Sequence, residues 1–345
     1  MKVNTSRQTF SKCQVTRFIN NKQFLTFEEQ TFLFGFLEVT QESFQIISNK
    51  MTKINWTYCQ DNSDLILVSG LKLLRECPRK SFDDNFSKEY GNYLISDESG
   101  KWNYTGEAKK LADRLKRHSK EKTSTFYKNY KEFQDKDEFA DYSKGLTINQ
   151  FGVRTINTNI GRKELEEFGI TNLPANLNKR QKGKRGIFTQ NVDSTTWNET
   201  QTNAKILLEQ GEAVLINQES YNWFQAKIFK NAGLYWVENE SMGLIYIGES
   251  SSFAERYNTH STRTYFSALR RHVGENILGF KLQTIKGRKR YFSEIEDKEV
   301  TAFLAKYTIK PLAINFGRYE LEEYLIRKHK PLLNRKDNKS YSPKK

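Results

Sequence analysis

Asn159-Ile-Gly-Arg-Lys-Glu-Leu-Glu-Glu167 returns 156 residues later as Asn315-Phe-Gly-Arg-Tyr-Glu-Leu-Glu-Glu323, with seven of nine positions identical. Upstream of each block, Tyr104-Thr-Gly106 matches Tyr246-Ile-Gly248, Arg114 matches Arg256, and His118 matches His260, all at a spacing of 142. Gly91-Asn-Tyr93 faces Gly233-Leu-Tyr235 at that same spacing. The growth from 142 to 156 places about fourteen extra residues between the histidine and the glutamate of the second copy. One matching tripeptide would be noise, but six polar positions in one order mark a repeated unit.

Local signals give each copy a coarse structure. Tyr93-Leu-Ile and Trp102-Asn-Tyr104 flank Asp97-Glu-Ser-Gly100, a turn-rich tetrapeptide between short apolar segments, which predicts a hairpin. The second copy predicts the same from Leu234–Val237 and Leu244–Ile247. Each hairpin should end at its glycine, Gly106 or Gly248. Helical spacing follows, so Arg114 and His118, like Arg256 and His260, lie four apart and project from one helix face. A second helix is expected over Tyr319–Lys328, before Pro331. In the first copy Gly169 and Pro174 predict a shorter helix. Ala204–Leu208 and Ala213–Ile216 read as a helix and a strand leading into the second copy.

A chain of 345 residues has room for two or three domains. The fold class expected is α+β, with two small antiparallel sheets flanked by helices. The divisions drawn are an aromatic-rich, nearly neutral accessory or specificity region over 1–89 (Phe24, Phe27, Phe32, Phe34, Phe36, Trp56, Tyr58), copy one over 90–180, and a basic linker over 181–229. Copy two follows over 230–337, with a basic tail over 338–345. No apolar run approaches the roughly 18 residues of a membrane span. Three cysteines with no CxxC pair argue against a disulfide framework or a thiolate zinc site, and no apolar core follows the N-terminal lysine. A reducing cytoplasm is the expected setting.

Lys plus Arg number 56 against 41 Asp plus Glu, a formal charge of +15. Residues 1–90 hold 12 basic and 10 acidic side chains, so the excess lies downstream. Its runs include Lys109-Lys110, Arg114–His118, Lys179–Arg185 and Lys286–Arg290. Clustered cations read as a phosphate-backbone footprint, although any single run is as often a solvated face. Lys109, Lys110, Arg117, Arg263, Arg270, Arg271, Lys286 and Arg288 are the expected backbone contacts.

Each copy thus gathers two strand tyrosines, an Arg–His pair and a glutamate on a second helix. An arginine fork fits phosphate oxygens and developing negative charge. A lone carboxylate suits Mg²⁺, which takes few protein ligands. A tyrosine or histidine can relay a proton from water. Taken singly, a strand tyrosine is usually packing and a surface glutamate usually solvated; their joint recurrence shifts those odds.

This ordered set resembles the GIY-YIG nuclease family. In copy two the carriers are Gly233-Leu-Tyr235, Tyr246-Ile-Gly248, Arg256, His260, Glu322 and Asn334, after Pro331. Copy one matches at Tyr93, Tyr104, Arg114, His118, Glu166 and Asn178, and departs at Asn92 and Thr105, where the family prefers aliphatics. The resemblance implies cleavage of nucleic-acid phosphodiesters with one divalent ion, Mg²⁺ or Mn²⁺. It implies that Glu322 and Glu166 hold the metal, that the arginines contact phosphate, and that tyrosines and histidine position or activate water. The asparagines would support the site.

The expected function is a restriction-type endonuclease on double-stranded DNA, one site per strand, accompanied by a cognate DNA methyltransferase and able to act as a monomer. No array of small DNA-binding modules follows the nuclease region, which disfavours a homing role. A repair or homing-type endonuclease, or a basic DNA-binding protein with one or both copies inactive, are the alternatives.

Overall fold

The computed structural model describes residues 54–174, 177–179, 192–226, 228–285 and 287–335. They all fall in one compact unit that begins at Ile54. Within that unit, residues 54–89 are continuous with the region expected to begin at 90. The N-terminal phenylalanines, most of the basic run 179–186 and the tail 338–345 lie outside the described residues, as does Lys286.

The first half opens with helices α1 (Trp56–Asp61) and α2 (Ser63–Glu76), then strands β1 (Gly91–Ser96) and β2 (Asn103–Ala108). Helices α3 (Leu111–His118) and α4 (Thr125–Phe133), strand β3 (Gly152–Asn157) and helix α5 (Arg162–Asn172) complete it. The second half repeats the order: α6 (Thr195–Thr202), α7 (Ala204–Ile216), the short β4 (Tyr221–Asn222), β5 (Gly233–Asn239) and β6 (Gly243–Ser250). It continues through α8 (Phe253–Thr262), α9 (Ala268–Val273), β7 (Gln283–Ile285), β8 (Arg288–Tyr291), α10 (Glu294–Leu304), β9 (Thr308–Ala313) and α11 (Arg318–His329). The hairpin β7–β8 falls within the longer second-half stretch where extra residues were expected, and it forms a sheet of its own.

Both main sheets are antiparallel, in the orders β2-β1-β3 and β4-β9-β5-β6. Successive strand side chains alternate between faces. Tyr93, Ile95 and Val153 join one core with α3 and α4, while Leu94 and Ile156 join another with α2 and α5. Tyr235, Val237 and Ile309 face α8–α10, while Leu234, Trp236 and Leu312 face α7 and α11. Helix α2 explains itself: Ile66, Leu67, Gly70, Leu71 and Leu74 form one buried stripe, with Asp64 in the first turn and Arg75 in the last.

Three expectations are corrected. Strands β2 and β6 run two residues past Gly106 and Gly248. Ala213–Ile216 continues helix α7 rather than forming a strand. Gly169 does not end α5, which reaches Asn172 before Pro174 and is one residue shorter than α11. Gly169 lies against Thr105, where an added Cβ would come within 3.1 Å of the hydroxyl. The corresponding residues Ile247 and Leu325 are both large and pack in one core. Small faces small in the first half, and large faces large in the second.

The repeat extends further upstream than the glycine–tyrosine motif. Trp56 and Gln60 of α1 have counterparts in Trp197 and Gln201 of α6 at a spacing of 141. Trp197 lies on Gly70 of the first half, and Trp56 lies on Gly211 of the second, so the two short helices cross over. Gln201 Oε1 accepts from the amides of Asn159 and Ile160 at 2.7 and 3.1 Å. Gln60 Oε1 accepts from Asn315 and Phe316 at 2.8 and 3.2 Å.

The nine-residue blocks meet across this pseudo-two-fold. Arg162 donates to Glu320 from Nε at 2.7 Å and to Glu323 from Nη2 at 3.2 Å. Reciprocally, Arg318 donates to Glu164 and Glu167, each at 2.8 Å. Arg318 also reaches Glu249 at 3.1 Å, as Arg162 approaches Glu107 at 3.6 Å. Gly161 and Gly317, at φ +88° and +84°, turn the chain into α5 and α11. Replacing Arg318 with Met strands the fully buried Glu164 carboxylate, and should cost about 3–5 kcal/mol in urea unfolding. The double variant Arg318→Met/Glu164→Leu should recover part of that loss; strictly additive losses would show that the pair is not coupled.

Candidate active site

Each site begins with a tyrosine on the central strand. Tyr93 pairs with Gly106 and Tyr235 with Gly248, across the hairpin. A Cβ on Gly106 would come within 2.2 Å of the Tyr93 hydroxyl, and one on Gly248 within 2.3 Å of that of Tyr235. Glycine is therefore required so that the phenol can cross the neighbouring strand. The second tyrosine stacks beside the first, with ring centroids 6.3 Å apart for Tyr93–Tyr104 and 6.1 Å for Tyr235–Tyr246.

The helix after the hairpin brings the histidine onto that phenol. Tyr235 Oη lies 2.6 Å from His260 Nε2, and Tyr93 Oη lies 3.0 Å from His118 Nε2. Burial raises the pKa of the Tyr235 phenol well above its ordinary value, reinforced by Tyr246 and opposed by Arg256. Burial first, then the positive field of Arg256, Arg270 and Arg271, holds His260 well below the usual imidazole range. His118 is pushed down to about 3 by burial, with Arg114 and Arg117 reinforcing. A neutral imidazole donates from one ring nitrogen and accepts at the other; in the tautomer with hydrogen on Nδ1, the phenol donates to Nε2. In the second half that Nδ1–H meets Ser267 Oγ at 2.6 Å. In the first half Nδ1 of His118 is buried without a hydrogen-bond partner. Ser124 caps α4 by accepting from the Tyr127 amide, as Ser267 caps α9 by accepting from that of Arg270.

The arginines also differ. Arg114 Nε donates to Tyr93 Oη at 3.1 Å. Arg256 is half-buried, and its charge opposes the burial shift of Tyr246, which is raised by desolvation and by Glu322. The four groups Tyr235, Tyr246, Arg256 and Glu322 thus share one electrostatic neighbourhood.

Glu322 is half-buried on α11 and accepts from the amide of Glu249 at 3.2 Å. Among the described residues no cluster of three or more His, Cys, Asp or Glu could hold a metal. The donor set at Glu322 is one hard carboxylate, and His260 has both ring nitrogens engaged. That set fits Mg²⁺ or Mn²⁺, which complete their shells with water and phosphate oxygens, and it does not fit zinc. In the first half Glu166 is buried and Lys163 donates to it at 2.5 Å. Burial raises the Glu166 carboxyl and Lys163 opposes that shift.

Asn334 and Asn178 do structural work of one kind. Asn334 accepts from the Ile247 amide at 2.8 Å and donates to the Ile247 carbonyl at 2.7 Å. Asn178 makes the same pair with Thr105 at 3.1 and 2.7 Å. Each completes the outer edge of the tyrosine-bearing strand. Asn92, unexpected beside the motif, donates to the Arg162 carbonyl at 2.8 Å and so ties β1 to α5.

Of the expected backbone contacts, Lys110, Arg117 and Arg263 are exposed, and Arg288 opens β8. Arg270 is corrected: it is fully buried and donates to Thr264 and Thr301 hydroxyls and to carbonyls of His260, Ser261 and Asp297. It fastens α8 to α10 and has no face for phosphate. Lys109 pairs with Glu323 across the halves at 2.8 Å, and Arg271 donates to the Thr264 and Tyr265 carbonyls at 3.1 and 2.7 Å. Ser267, Lys163, Gln60 and Gln201 were not legible as site or brace residues; the 141-residue spacing of the tryptophans was the available signal for the glutamines.

Because the folded histidines bind fewer protons than the unfolded chain below pH 6.5, stability falls as pH drops through that value toward the depressed folded pKa. Each contributes up to about 1.4 kcal/mol per pH unit. His260→Gln should therefore flatten the dependence of thermal stability on pH between 6.5 and 5; an unchanged slope would mean that His260 is protonated in the fold.

No helix among the described residues is long and apolar enough to cross a membrane. No curated protein and no solved structure matches the chain. Residues 214–345 match a family model described as the GIY-YIG catalytic domain, which supports an endonuclease activity in the second half.

Proposed function

We propose that the chain is a divalent-metal-dependent endonuclease that hydrolyses phosphodiesters of double-stranded DNA, with its hydrolytic centre at Tyr235, Tyr246, Arg256, His260 and Glu322. The observation that carries this reading is the convergence of those five side chains within the segment matched by the nuclease family. Glu322 would hold the ion, which when bound supplies charge neutralisation at the phosphate. The Arg256 side chain makes no hydrogen bond or ion pair among the described residues, so its fork is available to the phosphate oxygens.

Proton handling falls to the Tyr235–His260 pair. A buried phenol with a raised pKa is a weak base by itself. Hydrogen-bonded to a neutral imidazole, it can take a proton from water at Oη while passing its own to Nε2. The imidazole is held for that role by Ser267 on its other nitrogen. Burial and the arginines disfavour a resident charge on His260, so the proton would be held only transiently.

A restriction setting, with a cognate methyltransferase protecting host DNA, is the context we propose. Its support is the reciprocal packing of the two halves, each of which carries its own set of two tyrosines, arginine, histidine and glutamate. The expectation that each half cuts rests on the retention of all six polar positions in the first half. The alternative, a DNA-binding protein with silent centres, is favoured by the partners that Arg114 and Glu166 have already taken.

On supercoiled plasmid with Mg²⁺ or Mn²⁺, Glu322→Gln and Arg256→Ala should each lower cleavage by about 10²–10³-fold while leaving thermal stability near wild type. Binding should weaken steeply with salt. Metal-independent cleavage, or full activity in Glu322→Gln, would overturn the reading.

A further inference from the structure

We propose that Lys163 takes the place of the metal ion in the first half, so that Glu166 holds an internal ammonium instead of a divalent cation and the chain cuts one strand per encounter. The inference rests on the endonuclease reading given above.

Glu166 is the repeat counterpart of Glu322, on the equivalent helix turn. Its carboxylate receives the Lys163 ammonium at 2.5 Å, and the two side chains are only 10% and 20% exposed. They sit three residues apart on α5, so the pair is formed within one helix face and needs no other element to close it. A divalent ion reaching this carboxylate would have to displace a fixed positive charge and then stand beside it. Four-fifths of the Lys163 side chain is shielded from solvent, which leaves the ammonium few alternatives to this carboxylate.

The second half is built differently at this place. The counterpart of Lys163 is Tyr319, an uncharged side chain. Its ring lies against the guanidinium of Arg162, 5.3 Å from the centroid. The substitution therefore exchanges a side chain that packs on the brace for one that neutralises the metal carboxylate. Two neighbouring features agree. Arg114 is turned onto the Tyr93 hydroxyl. His118 has no partner on Nδ1, where His260 has Ser267. The first half keeps the shape of a nuclease centre, with its cations directed inward.

Double-strand cleavage then requires a second chain on the opposite strand, and the first half serves to seat the duplex. The test counts bound Mn²⁺ by electron paramagnetic resonance on the full chain. Wild type should bind one equivalent, lost in Glu322→Gln. Lys163→Tyr, which installs the second-half residue, and Lys163→Met, which removes charge at similar length, should each bind two. Adding Glu166→Gln to either variant should return the count to one. On plasmid, wild type should accumulate open circles, and Lys163→Tyr should raise the ratio of linear to nicked product at least tenfold. A wild-type chain with two Mn²⁺ equivalents, or Lys163 variants that both fold and still bind one, overturns the inference and leaves the endonuclease reading intact. Mn²⁺ binding indifferent to Glu322→Gln removes that reading, and this inference falls with it.

Discussion

The reciprocal brace of Arg162 with Glu320 and Glu323, and of Arg318 with Glu164 and Glu167, is the constraint on which the rest of the molecule depends. Both guanidinium groups are almost completely buried. Taking such charges out of water is expensive, and ion pairing in the interior roughly offsets that expense rather than exceeding it. The apolar contacts on either side supply the favourable energy: Trp197 against Gly70, Trp56 against Gly211, Ile160 and Phe316 against the opposing glycines. What the brace adds is geometric. A slip of either helix would leave a carboxylate or a guanidinium buried alone, so α5 and α11 have one acceptable alignment. Since those helices carry Glu166 and Glu322, the alignment also fixes where the two candidate metal carboxylates stand.

Seen this way, most of the repeated nine-residue block belongs to the joint between halves. Asn159 and Asn315 offer their amides to Gln201 and Gln60, the glycines turn the chain, the arginines and two of the three glutamates cross the axis, and Leu165 and Leu321 are core. Glu166 pairs with Lys163 on its own helix, and Glu322 accepts from the Glu249 amide within its own half. A sequence comparison weights all identical positions alike and cannot separate these duties. It finds the repeat, the hairpins and the Arg–His helix face, because those depend on local spacing and turn composition. It does not find the crossing of α1 and α6, whose tryptophans pack on glycines 155 and 127 residues away. Nor can it tell that Arg270 is an internal clamp and Arg263 is exposed, when both stand in equally basic stretches.

Small differences between the halves are paired in space, although they are scattered in sequence. Thr105 and Gly169 touch, and their counterparts Ile247 and Leu325 share a core. Asn92 finds the Arg162 carbonyl, where Leu234 finds apolar neighbours. A polar residue at the second position of the glycine–tyrosine motif is thus no loss of packing: its hydrogen bond replaces the apolar contact and ties the strand to the helix that carries Glu166. Departures that look damaging one at a time are compatible once their partners are known.

The same reasoning separates packing differences from chemical ones. Only two positions of the nine-residue block differ. Ile160 and Phe316 each lie against the other half's glycine, so that difference is one of volume at the axis. Lys163 and Tyr319 differ in charge, and the charge lies on the carboxylate that the repeat would assign to a metal. Lys109 on Glu323, Lys163 on Glu166 and Arg114 on Tyr93 are three first-half cations committed to internal partners. Net charge therefore overstates the positive field that the first half offers to a phosphate backbone. The surplus read from composition becomes a surface property only after such internal pairs are set aside, and at Lys110, Arg117 and Arg263 it still faces solvent.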